Sequence, residues 1–135
     1  MRKIVVDVYW SKKNFCCGWA EPDFGAVVVT NKTFDGVKQA FEEALSFQIQ
    51  GMLKDGEPVP EWLAKGNYKI EYNEQVSSLL RNAEQYTTMA ALSRATGINQ
   101  KLLSNYASSV KIPRESQRQR IIDGLHQIGR AMLAL

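Results

Sequence analysis

Alternating apolar and polar residues mark three short strands at the start of the chain. In residues 2–10, apolar side chains at every second position from Ile4 to Trp10 alternate with partly polar neighbours, which indicates one buried face. Residues 14–21 and 25–30 follow a polar turn and a proline-containing break, and both read as further short strands. The pattern predicts a three-stranded β-meander.

A helical period replaces this alternation after the third strand. Threonine is a favoured N-cap residue, so we expect Thr33 to cap a long amphipathic helix that ends near Lys54. Its apolar stripe consists of Val37, Phe41, Ala44, Leu45 and Met52. The proline-containing segment 55–60 excludes a helix or a central strand, and residues 68–72 alternate again as a strand. The first domain is therefore predicted as β-β-β-α-β over residues 1–73.

Residues 74–135 show only helical periods, and four apolar stripes predict four helices. The stripes are Val76, Leu79, Leu80 and Ala83; Met89, Leu92 and Ala95; Ile98, Leu102, Leu103 and Tyr106; and Ile121, Leu125, Ile128 and Met132. Pro113 is expected in the first turn of the last helix, where its missing N–H costs no hydrogen bond. The chain is thus predicted to be α+β, with an α+β domain followed by an all-α domain.

The composition is typical of a chain that folds and buries a core, since 44% of its 135 residues are apolar. No apolar run approaches the roughly 18 to 20 residues of a membrane span, and Asp7 interrupts the first run before a signal-peptide core could develop. We therefore expect a cytoplasmic protein. Cys16 and Cys17 are strand neighbours that point to opposite faces, so we expect two buried or half-buried thiols and neither a disulfide framework nor a metal clip.

The formal charge of +3 is divided unevenly along the chain. Residues 1–73 carry nine Lys or Arg and ten Asp or Glu, whereas residues 74–135 carry eight Lys or Arg and four Asp or Glu. A basic surface releases counterions when it binds a phosphate backbone, so the second part is where we expect nucleic acid to bind.

Residues 87–106 place a glycine between two of the predicted helices. Gly97 can adopt the left-handed backbone that ends one helix and lets the next begin at a steep angle. The residues expected to pack these two helices together are Leu92, Ile98, Leu103 and Tyr106. This stretch resembles the helix-turn-helix of phage-repressor-like transcription factors. The alternative is a plain helical hairpin with a solvated polar face.

The resemblance implies that the second of these helices enters the major groove of double-stranded DNA. Amide side chains suit adenine and lysine suits guanine, and the residues expected on its outer face are Asn99, Gln100, Lys101, Ser104 and Asn105. The residues better suited to phosphates are Thr88, Lys111, Arg114, Arg118 and Arg120. A single helix pair buries little surface, so we expect a homodimer or a higher homo-oligomer.

The first domain also resembles a known pattern. Residues 20–25, residues 31–45 with their Glu-Ala-Leu-containing helix, and the joining segment 57–72 look like the HicB antitoxins that carry a repressor-like tail. The sequence departs from the commonest pattern of this family at the third strand, where Val27-Val28-Val29 replaces a glycine- and cysteine-bearing turn.

This resemblance implies a first domain with a partial ribonuclease H-like fold that binds and blocks a HicA-like toxin, a small basic protein that cleaves RNA. The helix-turn-helix domain would dimerise and repress the operon that encodes both proteins. No enzymatic activity and no cofactor are expected. An acidic-leaning domain suits a basic toxin, because complementary charge speeds encounter.

Two other functions remain open at this point. A metal-dependent nuclease would need carboxylates to converge, and the candidates are Asp7, Glu42 or Glu43, and Glu71. A free-standing repressor would use the first domain to sense a small molecule, although no glycine-rich phosphate loop or metal-spaced cluster favours a particular ligand.

Two groups of apolar residues also allow two interpretations. The last helix could contribute to a dimer contact or fill the core of its own domain. Likewise, Trp10, Trp19 and Trp62 could be partner-binding anchors or could fill and cap the core.

Overall fold

A computed structural model describes all 135 residues of the chain as an α+β structure with a four-stranded mixed sheet and six helices. The chain divides into two compact units. Unit 1 comprises Met1–Tyr9 and Lys13–Glu74, and unit 2 comprises Trp10–Lys12 and Gln75–Leu135. None of the six helices combines the length and apolarity needed to cross a membrane.

The sheet contains β1 (Arg2–Ser11), β2 (Asn14–Glu21), β3 (Gly25–Asn31) and β4 (Tyr68–Glu74), in the spatial order β3-β2-β1-β4. β2 and β3 are antiparallel, whereas β4 lies parallel to β1 in a register that pairs Ile4 with Ile70. The three predicted strands of the meander are confirmed, and the fourth strand continues two residues beyond the predicted end. β3 and β4 therefore form the two edges of the sheet.

Helix α1 (Phe34–Lys54) has the predicted cap and the predicted end. The Thr33 side chain accepts a hydrogen bond from the Gly36 N–H at 2.9 Å, which satisfies one of the unpaired donors in the first helical turn. α1 packs on β2 and β3, and its buried residues are Val37, Phe41, Leu45 and Ile49. Both cysteines of β2 are buried, within the predicted range of buried or half-buried thiols, and they are not joined in a disulfide.

A short helix, α2 (Glu61–Ala64), lies between α1 and β4, so the predicted order β-β-β-α-β is wrong by one element. α2 begins directly after Pro60, whose fixed backbone and missing N–H suit a helix start. Four residues are too few to show a helical period in the sequence. Leu63 is its buried residue.

Unit 2 contains four helices: α3 (Val76–Ala83), α4 (Met89–Thr96), α5 (Gln100–Ala107) and α6 (Glu115–Leu133). The predicted number of helices is correct, but the expected place of Pro113 is wrong. Arg114 has an extended backbone and forms the N-cap of α6, so Pro113 precedes the helix and does not lie in its first turn.

Candidate nucleic-acid interface

The turn between α4 and α5 is built from two adjacent caps. Gly97 ends α4 in the left-handed conformation predicted for it, with φ of 74°, and its N–H donates to the Ser93 carbonyl at 2.9 Å. Asn99 then caps α5, because its side-chain oxygen accepts from the Leu102 N–H at 2.8 Å. The two helices are thus separated by only three residues.

A buried hydroxyl completes this turn. Thr96 Oγ1 donates to the Leu92 carbonyl at 2.7 Å and accepts from the Ile98 N–H at 3.1 Å. The Ile98 N–H would otherwise be a buried donor without a partner, which is costly. The sequence pattern did not reveal this role, because a threonine in the last turn of a helix is unremarkable until the following backbone bends back over it.

The apolar residues predicted to pack the two helices do so. Leu92, Ile98, Leu103 and Tyr106 are buried in one cluster to which α3 and α6 also contribute. The remaining fully or largely buried members are Val76, Leu80, Ala107 and Ile121. This cluster fixes which side of α5 faces inward.

The opposite side of α5 is polar and accessible. Gln100, Lys101 and Ser104 are exposed, and Asn105 is half-buried. Residues 100 and 104 are four positions apart, as are 101 and 105, so these side chains project from one side of the helix. Asn99 is also exposed, but it lies just before the helix, and its side-chain oxygen is already engaged in the cap.

Four of the five residues predicted to contact phosphates are exposed in unit 2. Thr88 is exposed and forms the N-cap of α4, where its hydroxyl accepts from the Ala91 N–H at 3.1 Å. Lys111 and Arg114 are exposed in the segment after α5. Together with Leu102, Tyr106, Ile112, Ser116 and Gln117 they line a shallow depression.

Arg120 has an intramolecular role that the phosphate prediction did not anticipate. Its Nη2 donates to the Thr96 carbonyl at 2.8 Å, and its Nη1 donates to Gln117 Oε1 at the same distance. A cation at the C-terminal end of α4 complements the negative end of the helix dipole and satisfies a terminal carbonyl. Arg120 therefore links α6 to the end of α4.

α4 and α6 approach each other closely at Gly124. A Cβ atom added there would lie 2.5 Å from Thr96 Cγ2, closer than real side chains pack. The tight contact of unit 2 thus depends on a glycine in the last helix.

The carboxylates considered for metal binding have separate partners in unit 1. Asp7 accepts from Asn73 Nδ2 at 3.0 Å, and Glu71 forms an ion pair with Lys3 at 3.4 Å. Glu42 accepts from the Tyr72 hydroxyl at 2.7 Å, and burial together with this hydrogen bond raises the pKa of Tyr72. No group of three or more His, Cys, Asp or Glu side chains is placed to hold a metal ion.

Trp19 and Trp62 belong to an aromatic cluster of unit 1 and are half-buried. Their ring centroids are 6.4 Å apart in an edge-to-face arrangement, and Trp62 also meets Tyr68 at 6.3 Å. The Arg2 guanidinium lies over the Trp62 ring at 4.4 Å. These contacts favour the packing interpretation of both residues.

The apolar stripe of α6 is used largely within unit 2. Ile121 is fully buried, and Leu125 and Ile128 pack partly against the same cluster. Met132 and Leu133 near the end of the helix are exposed. The first half of the stripe therefore belongs to the core of its own unit.

Comparison with protein-family models, curated protein sequences and solved structures finds no match to this chain.

Proposed function

We propose that the chain is a HicB-type antitoxin that binds operator DNA through unit 2 and a HicA-like toxin through unit 1. In this proposal α4 and α5 form a helix-turn-helix, and α5 is the recognition helix. Unit 1 would be the partial ribonuclease H-like domain that binds and blocks the basic RNA-cleaving toxin. The protein would then repress its own operon and neutralise the toxin by direct binding.

The observation that carries the DNA-binding proposal is the exposed row Gln100, Lys101 and Ser104 on α5, opposite a fully packed inner face. A recognition helix needs this combination, because the buried face holds the helix rigidly while the polar face meets base edges. Glutamine can make two hydrogen bonds to adenine, and lysine can donate to guanine. These side chains are therefore chemically able to distinguish base pairs.

The basic residues nearby support the same function. Lys111 and Arg114 are exposed after α5, and the Thr88 hydroxyl stands at the N-terminus of α4. Contacts from such groups to phosphates would fix the register of α5 in the groove without reading sequence. The acidic-leaning composition of residues 1–73 suits a basic protein partner.

The DNA-binding proposal is tested with Gln100→Ala. We expect operator affinity to fall by about 1–3 kcal/mol per half-site, with relaxed preference at one base pair, because one bidentate contact is lost. The measurement is fluorescence anisotropy with the native operator and with single-base variants. Gln127→Ala is the matched control, since Gln127 is an exposed glutamine on α6 of the same unit.

Toxin binding is measured with the same variant. We expect Gln100→Ala to retain co-purification with the product of the adjacent reading frame, because the substitution leaves unit 1 unchanged. Equal operator affinity and base preference for Gln100→Ala and Gln127→Ala would disprove the recognition-helix assignment. Failure of the wild-type chain to bind any adjacent gene product would disprove the antitoxin part alone.

A further inference from the structure

The two edges of the sheet in unit 1 differ in how they are protected. The β4 edge carries Lys69, Glu71 and Glu74, and charges on an edge strand discourage pairing with other strands. β3, from Gly25 to Asn31, contains no charged residue and no proline. Only one edge of this sheet therefore lacks the usual protection.

The backbone of the β3 edge is also available. β3 pairs with β2 on one side, and no hydrogen bond from another segment reaches the backbone of residues 26–30 on the other side. The nearest contact of this kind is from Gln48 Nε2 to the Phe24 carbonyl, just before the strand begins. Backbone N–H and C=O groups that have no partner at the edge of a sheet can form hydrogen bonds with an added strand.

The side chains of β3 add an apolar surface to this edge. Val28, the middle residue of the strand, is 65% exposed. Its neighbours Val27 and Val29 are β-branched and favour an extended backbone. The strand combines β propensity, low polarity and zero charge.

An exposed apolar flank of α1 lies on the same side of unit 1. Tyr72 of β4 hydrogen-bonds to Lys38 and Glu42, which marks the flank of α1 that faces β4. At 100° per residue, Ala40 and Phe47 fall on the opposite flank, toward β3. Phe47 is 81% exposed, although aromatic residues usually bury most of their surface.

We propose that β3 pairs with β3 of a second copy of this chain, antiparallel and centred on Val28. This geometry gives a two-fold axis perpendicular to the sheet, so both copies of α1 lie on the same face of the continuous sheet. Because α1 packs on β2 and β3, the same rotation brings this flank of one α1 toward the same flank of the other. Gln48 contacts the residue just before β3, so each Phe47 lies toward one end of the contact and faces the N-terminal half of the other α1. Neither copy of β3 carries a charged residue, so no charge repulsion opposes the pairing of the two strands.

A second copy of the chain, related by one two-fold axis, would cover both the β3 edge and the exposed flank of α1 that carries Phe47. A strand from a different protein would pair with the β3 backbone but would not in itself cover Phe47. An isologous contact of this kind uses the same patch on both subunits, which is the commonest arrangement in homodimers. The inference concerns unit 1 alone and does not depend on DNA binding.

Disulfide trapping in the full-length chain tests this pairing. Directly opposed residues of antiparallel strands have Cα atoms about 4.5–5.5 Å apart, within the range that a disulfide can bridge. We expect Val28→Cys to form a cross-linked dimer under mild oxidation, about tenfold or more above Val5→Cys, because opposed thiols react at a high effective concentration. Val5 is 50% exposed on the inner strand β1, and it serves as the matched control.

A second substitution tests the helix flank. Phe47→Ser in the Val28→Cys background should lower the cross-linked fraction several-fold, whereas Gln50→Ser, at another exposed position of α1, should leave it unchanged. Circular dichroism verifies that each variant is folded. Equal trapping of Val28→Cys and Val5→Cys would overturn the proposal, and so would a purified chain that cross-links at β3 only after another protein is added.

Discussion

Cys17 is a fully buried thiol on β2 of unit 1. Burial raises its pKa from the ordinary 9.0 to about 11, because the thiolate would lose its hydration. The neighbouring Cys16 adds to this effect and Lys38 opposes it. The thiol is therefore uncharged at neutral pH and behaves as a small apolar side chain.

This raised pKa predicts an alkaline loss of stability. The unfolded chain releases the thiol proton near pH 9, whereas the folded chain retains it until about pH 11, so the contribution of Cys17 is complete below pH 9 and declines as the pH rises to about 11. Cys17→Val should therefore lose less stability than the wild type over this range, by at most about 1.4 kcal/mol for each pH unit. Urea unfolding followed by circular dichroism at several pH values measures the difference.

The stability of Cys17→Val will still depend on pH to some extent, because the pKa of Tyr72 is also raised, chiefly by burial. Parallel stability curves for Cys17→Val and wild type between pH 9 and pH 11 would contradict the prediction.

At the scale of elements, the contact between α4 and α6 holds the beginning of α5 in place. The Arg120 side chain donates a hydrogen bond to the carbonyl of Thr96, the last residue of α4. One helical turn further along α6, Gly124 allows α4 and α6 to approach closely. Thr96 takes part in both contacts and in the turn that leads to α5. The position of the candidate recognition helix therefore depends on residues of α6 that do not belong to its exposed face.

Gly124→Ala tests this contact. We expect a loss of about 1–3 kcal/mol in the free energy of unfolding, because the added methyl group would collide with Thr96. Gly129→Ala on the same helix is the control, since a Cβ there meets nothing within 4 Å. It should stabilise the protein by about 0.5–1 kcal/mol through helix propensity. Thermal unfolding of both variants distinguishes the two effects, and equal changes would contradict the close contact.

The sequence predicts those elements whose patterns are local. β1, β2, β3 and α1 follow from alternation and helical period, and Gly97 is recognisable because few other residues tolerate its backbone angle. The exposed polar side of α5 follows from the positions of its buried residues.

The remaining features depend on distant parts of the chain. α2 is too short to show a period, and the partners of Thr96, Arg120 and Gly124 are set by how α6 lies on α4. Arg120 illustrates the limit of charge-based reading. An arginine in a basic segment suggests phosphate binding, but its structural partner is a carbonyl 24 residues away.

For the whole molecule, the division of charge determines how the proposed binding to DNA should respond to salt. Residues 74–135 hold eight Lys or Arg and four Asp or Glu, and Lys111 is exposed close to α5. Each phosphate neutralised by a lysine releases counterions, which makes affinity fall as salt rises.

We expect Lys111→Gln to reduce the slope of log affinity against log salt by about one, with unchanged preference among operator variants. Lys54→Gln, at the exposed end of α1 in unit 1, should leave the slope unchanged. Titrations at several salt concentrations give both slopes. An altered base preference in Lys111→Gln would show that this lysine reads sequence and not only phosphate.

If copies of this chain pair through β3 as proposed, the unequal edges of the sheet limit how far they can assemble. A strand added at β3 leaves only the charged β4 edges at the outer ends. Growth by strand addition would stop after one event, so the uncharged valine-rich strand can serve recognition without seeding open-ended fibrils.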